Sequence, residues 1–147
     1  MTEAEKPIEE VYFFWMERAM KAQRKATNQL FRKLGIELTP DQWIVLKKLS
    51  ETEVVSQREL ADATSKDPAA LTRLLDLLEK KRLIERASAD RRTFKVLLTK
   101  EGLALVNKVI PEAVAYRQIG IKNVSEMEMS IFRKVLETIH HNFSELS

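Results

Sequence analysis

The sequence of 147 residues contains no cysteine, and this absence excludes a disulfide framework, a zinc ribbon, a catalytic thiol and a cysteine redox switch. It also lacks any apolar stretch that approaches the roughly 20 residues of a membrane-spanning helix. The first residues, MTEAEKPIEE, are acidic and polar, which is not the pattern of a secretory signal peptide. We therefore expect a cytoplasmic protein that folds without disulfides.

Catalytic and metal-binding patterns are missing as well. The sequence has no P-loop, no glycine-rich dinucleotide turn, no HExxH motif and no nucleophile–histidine pairing. The two histidines, His140 and His141, are adjacent, so on a helix their side chains point about 100° apart and cannot easily share one metal ion. A metal sensor would also need carboxylate and partner-chain ligands. We expect no enzymatic activity, no cofactor and no metal site.

Helix-forming sequence dominates what is present. Glycine and proline are scarce, at 3 and 4 residues, whereas 44% of the residues are hydrophobic and 32% are charged. Capping boxes at Thr39–Gln42, Ser56–Glu59 and Ser125–Glu128 mark three helix starts. The sequence therefore predicts one mainly α-helical domain over residues 1–147. The predicted helices cover about 7–34, 40–49, 57–63 and 68–81, then a stretch from 100 and another from 126.

The helix that follows Thr99 has two expected features. Its hydrophobic pattern predicts that Leu103, Val106, Val109 and Ile110 face the core. Pro111 lies inside it, and proline removes a helical hydrogen bond. We therefore expect a kink or an interruption at Pro111.

One region departs from the helical period. Phe94, Val96 and Leu98 alternate with Thr93, Lys95 and Leu97, which predicts a strand. Residues 83–86 can pair with this strand, and residues 87–92 then form the turn. The result is a small β-hairpin after three short helices.

The helices around residues 56–80 form a helix-turn-helix pattern, because only Thr64, Ser65 and Lys66 separate two capped helices. In such a unit the second helix enters the major groove of DNA. Arg73 can donate two parallel hydrogen bonds to guanine, and Thr72 can reach a base edge or a phosphate. Residues 56–100 hold 11 basic against 7 acidic residues, and a local excess of positive charge suits phosphates.

The hairpin that follows would act as a wing with Asp90, Arg91 and Arg92 at its tip. Arginine suits the narrow minor groove, where the negative potential is strong. We expect one of the two arginines to contact DNA and the other to be held by Asp90, which would orient the tip. The alternative is an exposed turn without a function.

In these segments the chain resembles the MarR family of winged helix-turn-helix regulators. The matching segments are LTPDQWIVLKKL at 38–49, SQRELADAT at 56–64, LTRLLDLLEKK at 71–81, LIER at 83–86, DRR at 90–92 and VLLTKEG at 96–102. The resemblance implies a winged-helix DNA-binding lobe over 36–100 and dimerisation helices over 7–35 and 101–147. It also implies a homodimer that binds palindromic promoter DNA, most often as a repressor that a small molecule releases.

The residues expected to contact DNA combine the motif with this resemblance. They are Ser56, Gln57, Lys66, Pro68, Ala69, Thr72, Arg73, Asp76, Arg91, Arg92 and Lys95, with Asp90 orienting the wing.

Three positions depart from the family pattern. Arg82 stands where a glycine is common, and a residue with a Cβ is costly in the left-handed region, so this connection is open to a different geometry. Leu77 replaces a residue that is often basic, which removes one phosphate contact. The tip at Ala87–Ala89 looks short, so the wing would reach the minor groove less deeply. These departures support an alternative function, a winged-helix module that binds proteins and not specific DNA.

The ends of the chain carry more apolar surface than one domain can bury. Residues 11–16 are apolar without a break, and Ile131, Val135, Ile139 and Phe143 form a row in the last helix. Packing within the core or between two subunits explains both. Alternatively, Phe14, Trp15 and Met16 form the wall of an effector pocket for a small apolar or aromatic molecule, and the two roles are compatible.

Overall fold

The structure is a computed structural model that describes residues 2–52, 55–88 and 94–147. Short 3₁₀ turns at Glu3–Glu5 and Ile8–Glu10 precede the first α-helix. The elements that follow are α1 (Tyr12–Lys33), α2 (Pro40–Ser50), β1 (Val55–Ser56), α3 (Gln57–Ala63), α4 (Pro68–Lys80), β2 (Ile84–Ser88), β3 (Phe94–Leu98), α5 (Lys100–Gly120) and α6 (Glu126–Ser144). This confirms the predicted fold class, mainly α with a small β-sheet.

The chain divides into two compact units, one that ends at Tyr116 and one formed by Arg117–Ser147. The first unit contains the hydrophobic core. Its members come from α1 to α5 and from the sheet, and they include Phe31, Leu46, Leu60, Leu71, Leu75, Leu78, Ile84, Val96, Val106 and Val109.

Capping groups fix the helix starts at the predicted residues. The Thr39 hydroxyl accepts a hydrogen bond from the Gln42 backbone N–H at 3.1 Å, and the Gln42 side chain accepts one from the Thr39 N–H. Ser125 and Glu128 form the same reciprocal box at the start of α6. Because each box satisfies two backbone donors, its sequence signature was enough to locate these boundaries.

The sheet is antiparallel with the order β1-β3-β2. In its register Val55 lies opposite Val96, and Ile84 lies opposite Leu98. The predicted strand at residues 94–98 is confirmed. The first strand of the hairpin runs from Ile84 to Ser88, so Ala87 and Ser88, predicted to lie in the turn, belong to the strand. The two-residue strand β1 was not predicted, because two residues show no alternation.

Two helix predictions were wrong in detail. The first helix begins at Tyr12 and not near Pro7, because Val11 has an extended backbone (φ −86°, ψ 120°) after a single 3₁₀ turn. Pro111 does not interrupt α5, which continues from Lys100 to Gly120, so the expected interruption is wrong and the expected kink stays a prediction. Asn107 and Pro111 are both exposed, so the hydrogen bond that proline removes lies on the solvent side, where water can replace it.

The buried side of α5 also differs from the prediction, since Leu103 is exposed and Gly102 is buried. A Cβ at Gly102 would overlap the Leu83 carbonyl oxygen and the Leu98 side chain. The start of α5 therefore approaches the backbone at Leu83 closely, and only glycine permits this approach.

The second unit consists of the end of α5 and α6. Every residue of α6 is described and none is buried within this chain. Its exposed apolar side chains include Met127, Ile131, Phe132, Val135 and Phe143. Along residues 2–52, 55–88 and 94–147, no helix has the length and apolarity needed to cross a membrane.

Candidate nucleic-acid interface

The helix-turn-helix unit comprises α3, residues 64–67 and α4, and its turn is fixed by backbone bonds. Ser65 adopts a left-handed conformation (φ 52°). This lets the Lys66 N–H donate to the Ala61 carbonyl at 3.0 Å, a bond that closes the end of α3. The Asp67 carboxylate then accepts from the Ala70 N–H at 3.1 Å and caps α4. The second helix therefore starts at a defined angle to the first.

The sequence spacing of α4 separates a buried side from an outward side. Leu71, Leu75 and Leu78 are fully buried in the core. The predicted DNA-contacting residues of this helix, Pro68, Ala69, Thr72, Arg73 and Asp76, are all exposed. The structure therefore brings these five positions together on the outward side of one helix.

Thr72 and Gln57 bind each other at one edge of this surface. The Gln57 side-chain amide donates to the Thr72 hydroxyl at 2.6 Å, and that hydroxyl donates to the Pro68 carbonyl at 2.9 Å. The bond connects the first turn of α3 to α4. It orients Gln57 toward the start of α4, next to the residues predicted to contact DNA.

Arg86 of β2 holds the acidic side of α4. Its guanidinium donates to Asp76 Oδ1 at 2.5 Å and to Glu79 Oε1 at 3.0 Å, and its backbone N–H donates to Glu79 Oε2 at 3.2 Å. The side-chain hydrogen bond from Arg86 lowers the pKa of Glu79, and the same bond raises the pKa of Arg86. Asp76, predicted to contact DNA, is therefore engaged within the protein.

The contacts of Arg86 were not predicted from the sequence, although Arg86 belongs to the LIER segment at 83–86. A signal was available, because Asp76 and Glu79 lie three residues apart and share one helix face. Pairing them with an arginine required knowledge of where β2 lies. The resulting contact fixes the first strand of the hairpin to α4.

Lys66 is held by an ion pair across the first unit. Its ammonium lies 2.9 Å from Asp41 Oδ1, and Arg24 of α1 lies 3.5 Å from Asp41 Oδ2. The pKa of Asp41 is lowered, chiefly by the hydrogen bond from Lys66. The Lys66 side chain is only 16% exposed. The turn is thus connected through Asp41 to both α2 and α1.

Arg73 has a different environment. It is exposed in the second turn of α4, and it makes no hydrogen bond or ion pair with any other residue that the structure describes. An arginine has five N–H donors, and one whose donors meet no other described residue is suited to an external acceptor. Base contact by Arg73 stays a prediction, and its exposed position on α4 is compatible with it.

Ser56 and Lys95 lie opposite each other in the sheet. Ser56 is buried, and its hydroxyl accepts from the Glu59 N–H at 3.0 Å, so the structure gives it the role of capping α3. Lys95 is half-buried in β3. The predicted wing residues Asp90, Arg91 and Arg92 lie outside the described residues, and the register of β2 and β3 is described up to the pair Ser88–Phe94.

The predicted effector residues lie near the start of α1. Phe14, together with Glu17, Arg18 and Lys21, lines an open depression of about 270 Å³. Trp15 does not line it. The Trp15 indole N–H donates to the Glu9 carbonyl at 2.5 Å, and the Arg18 guanidinium carbon lies 5.1 Å from the centre of the Trp15 ring. Met16 is half-buried. Within one chain Trp15 is therefore exposed, whereas Phe14 and Met16 are half-buried, and charged side chains lie next to them.

The arrangement of α3, α4 and the small antiparallel sheet agrees with comparisons to known proteins. Residues 38–94 match the model of the MarR family. The uncharacterized HTH-type transcriptional regulator YsmB of Bacillus subtilis is 29% identical over 106 residues, which cover 71% of this chain and 73% of YsmB.

Solved structures show the same fold. BpsR of Bordetella bronchiseptica, whose DNA binding is regulated by 6-hydroxynicotinic acid, has a TM-score of 0.81 at 23% identity, over 92% of this chain and 98% of its own. A mutant MarR from E. coli complexed with operator DNA has a TM-score of 0.75 at 25% identity, over 85% of this chain and 90% of its own.

Proposed function

The chain belongs to the MarR family of transcriptional regulators, and we propose that it binds palindromic operator DNA as a homodimer, with α4 in the major groove. The observation that carries this proposal is Arg73, which is exposed in the second turn of a capped helix and has no partner among the described residues. The role is regulatory and not enzymatic, and it is carried out in the cytoplasm.

Arg73 serves as the base-contacting residue of each half-site in this proposal. Guanine presents two acceptors, N7 and O6, in the major groove, and a guanidinium matches them with two parallel N–H groups. Pro68 and Ala69 at the start of α4 are exposed and small, so the helix can approach the base edges. Arg91 or Arg92 would reach the minor groove, and Asp90 would hold the other arginine.

The remaining predicted residues act on the DNA backbone or on the position of α4. Lys66 has three donors, so it can keep its bond to Asp41 and still donate to a phosphate. Gln57 is half-buried and bound to Thr72 of α4, Lys95 is half-buried in β3, and Ser56 caps α3. Asp76 contributes through Arg86, because an anion facing phosphates would repel them unless it were paired.

The homodimer is proposed to act as a repressor that a small apolar or aromatic effector releases. The open depression that Phe14 lines and the exposed Trp15 ring next to it in sequence support an effector site near the start of α1, and Met16 is half-buried in the same turn. BpsR, which shares the fold, is regulated by 6-hydroxynicotinic acid. An effector can shift the equilibrium only if it prefers the form that does not bind operator DNA, and operator must then weaken effector binding by the same factor.

The Arg73→Ala variant tests the function directly. Operators are first selected from a random DNA pool by the purified protein, and the affinity for every single-base variant of the half-site is then measured. We expect Arg73→Ala to cost about 1–3 kcal/mol on the operator and to relax base preference at one position of each half-site. Arg32→Ala, which removes an exposed arginine of α1, should leave the base preferences unchanged.

Two outcomes would contradict the proposal. Equal losses of affinity for operator and for random DNA would show that Arg73 contacts the backbone only. Failure of the pool to yield any enriched sequence would favour the alternative function, a winged-helix module that binds proteins.

A further inference from the structure

Leu77 is an exposed apolar side chain on the helix assigned to the major groove. It is 50% exposed, whereas its neighbours Leu75 and Leu78 are fully buried. Leu77 therefore adds little to the core, and its side chain lies on the outward side of α4. A single exposed leucine is common on protein surfaces. Leu77 is distinguished by its position on the same side of α4 as Arg73.

Polar contacts within the protein occupy one flank of the outward side of α4. Gln57 binds Thr72, and Arg86 binds Asp76 and Glu79. The opposite flank has no such contacts among the described residues. It is a stripe formed by Ala69, Arg73, Leu77 and Lys80.

The spacing of the residues in this stripe places Leu77 about one helical turn after Arg73, on the same side of α4. Ala69, Arg73 and Leu77 are each four residues apart and so share one face. Four residues advance about 6 Å along a helix axis, which is close to two base-pair steps of about 3.4 Å. With α4 lying along the major groove, Leu77 would face the DNA within about two base pairs of the base that Arg73 contacts.

We propose that Leu77 contacts the C5-methyl group of a thymine in each half-site, a proposal that rests on the DNA-binding function above. Thymine is the only base that presents a methyl group in the major groove, and apolar side chains recognise it by contact. A leucine cannot bind phosphate. Arg73 on one side and Lys80 on the other make this face cationic, so a nucleic acid fits it and an apolar protein surface does not.

The test replaces thymine with deoxyuridine, which removes only the methyl group. Operators are selected from a random DNA pool by the full-length protein, and each thymine within two base pairs of the guanine assigned to Arg73 is replaced in turn. Burial of one methyl group predicts a loss of about fourfold for a substitution in one half-site and about fifteenfold for both.

Variants assign the effect to Leu77. In Leu77→Ala, the thymine and deoxyuridine operators should bind equally well. Leu103→Ala removes a comparably exposed leucine from α5 and should keep the wild-type response to deoxyuridine. Circular dichroism and thermal unfolding serve as the control for folding, and we expect both variants to fold because neither position is buried.

The outcomes separate this proposal from the function on which it rests. Specific operators without a thymine in this window, or an equal loss with deoxyuridine in wild type and Leu77→Ala, would overturn the thymine contact and leave operator binding intact. A pool without any enriched sequence would overturn both.

Discussion

Arg82 occupies the position where α4 ends and the chain turns into β2, and its backbone is left-handed (φ 60°). The Leu83 N–H donates to the Leu78 carbonyl at 3.1 Å, and the Arg82 N–H donates to the Glu79 carbonyl at 2.9 Å. This is the helix end that a glycine normally supports, as Gly35 does after α1 with φ 68°. A different geometry was left open at this position, yet the arginine adopts the left-handed conformation that glycine favours.

Replacing Arg82 with glycine should therefore stabilise the protein. A residue with a Cβ is destabilised by about 1–2 kcal/mol in this backbone region, and glycine removes that strain. Glycine also has more conformational freedom in the unfolded chain, which offsets about 0.5–1 kcal/mol of the benefit. We therefore expect the free energy of unfolding to rise by about 0.5–1 kcal/mol. Urea unfolding followed by circular dichroism measures it. Lys81→Gly is the matched control, because Lys81 has a right-handed backbone (φ −78°) and its replacement should destabilise. Destabilisation by Arg82→Gly would show that the Arg82 side chain contributes more than the strain costs.

At the scale of elements, the ion pairs of Asp41 connect three segments that are distant in sequence. Asp41 lies in the first turn of α2, Lys66 in the turn before α4, and Arg24 in α1. The pKa of Asp41 is lowered, mainly by the hydrogen bond from Lys66. A carboxyl group whose pKa is lower in the folded state than in the unfolded state stabilises the protein at pH values above its unfolded-state pKa. This stabilisation is lost as the pH falls through the folded-state pKa.

The Asp41→Asn variant should show this pH dependence. Because Asp41 is partly exposed and screened by solvent, we expect it to be less stable than wild type by about 0.5–1 kcal/mol near pH 7. The difference in unfolding free energy between variant and wild type should shrink as the pH falls from about 4, the pKa of an aspartate in the unfolded chain, through the lower pKa of Asp41 in the folded protein. Urea unfolding at several pH values measures it. Asp62→Asn, at an exposed position of α3, serves as the control. A difference independent of pH would mean that the charge of Asp41 contributes nothing.

At the scale of the whole molecule, large apolar side chains remain exposed at both ends of the chain. Tyr12, Phe13 and Trp15 are at least 47% exposed at the start of α1, and Ile131 and Phe132 are similarly exposed on α6. Apolar surface of this kind marks interaction sites in soluble proteins. We expect the partner to be a second copy of the chain, as the match to the MarR family model suggests.

We expect sedimentation equilibrium to give twice the 17.0 kDa chain mass at micromolar concentration. Ile131→Glu should weaken the dimer by at least about a hundredfold, because burying an unpaired carboxylate costs several kcal/mol. Lys134→Glu, an exposed position of the same helix, should leave the mass unchanged. Deletion of α6 should cause aggregation, since it exposes apolar surface. A stable 17.0 kDa monomer of the wild-type chain would contradict the dimer.

Much of the site could be predicted from sequence because its signals are local. Capping residues at Ser56 and Asp67 satisfy backbone donors three residues away, and they located α3 and α4 without any tertiary information. Leu71, Leu75 and Leu78 recur at helical spacing and are buried, so this local period is enough to place Arg73 on the exposed side of α4. The predictions for Asp90, Arg91 and Arg92 stay predictions, since these residues lie outside the described part of the chain.

Other features depended on contacts between segments that are far apart in sequence. Capping and periodicity act over a few residues, and they were enough to predict the starts of α2, α3, α4 and α6, the presence of the hairpin and the exposed face of α4. Only the tertiary structure placed Arg86 against Asp76 and Glu79, and Lys66 against Asp41. It also showed that the start of α5 packs on Leu83 through Gly102, which turned Leu103 outward. These contacts depend on which distant segments of the chain come together in the folded protein, and a local sequence pattern does not contain that information.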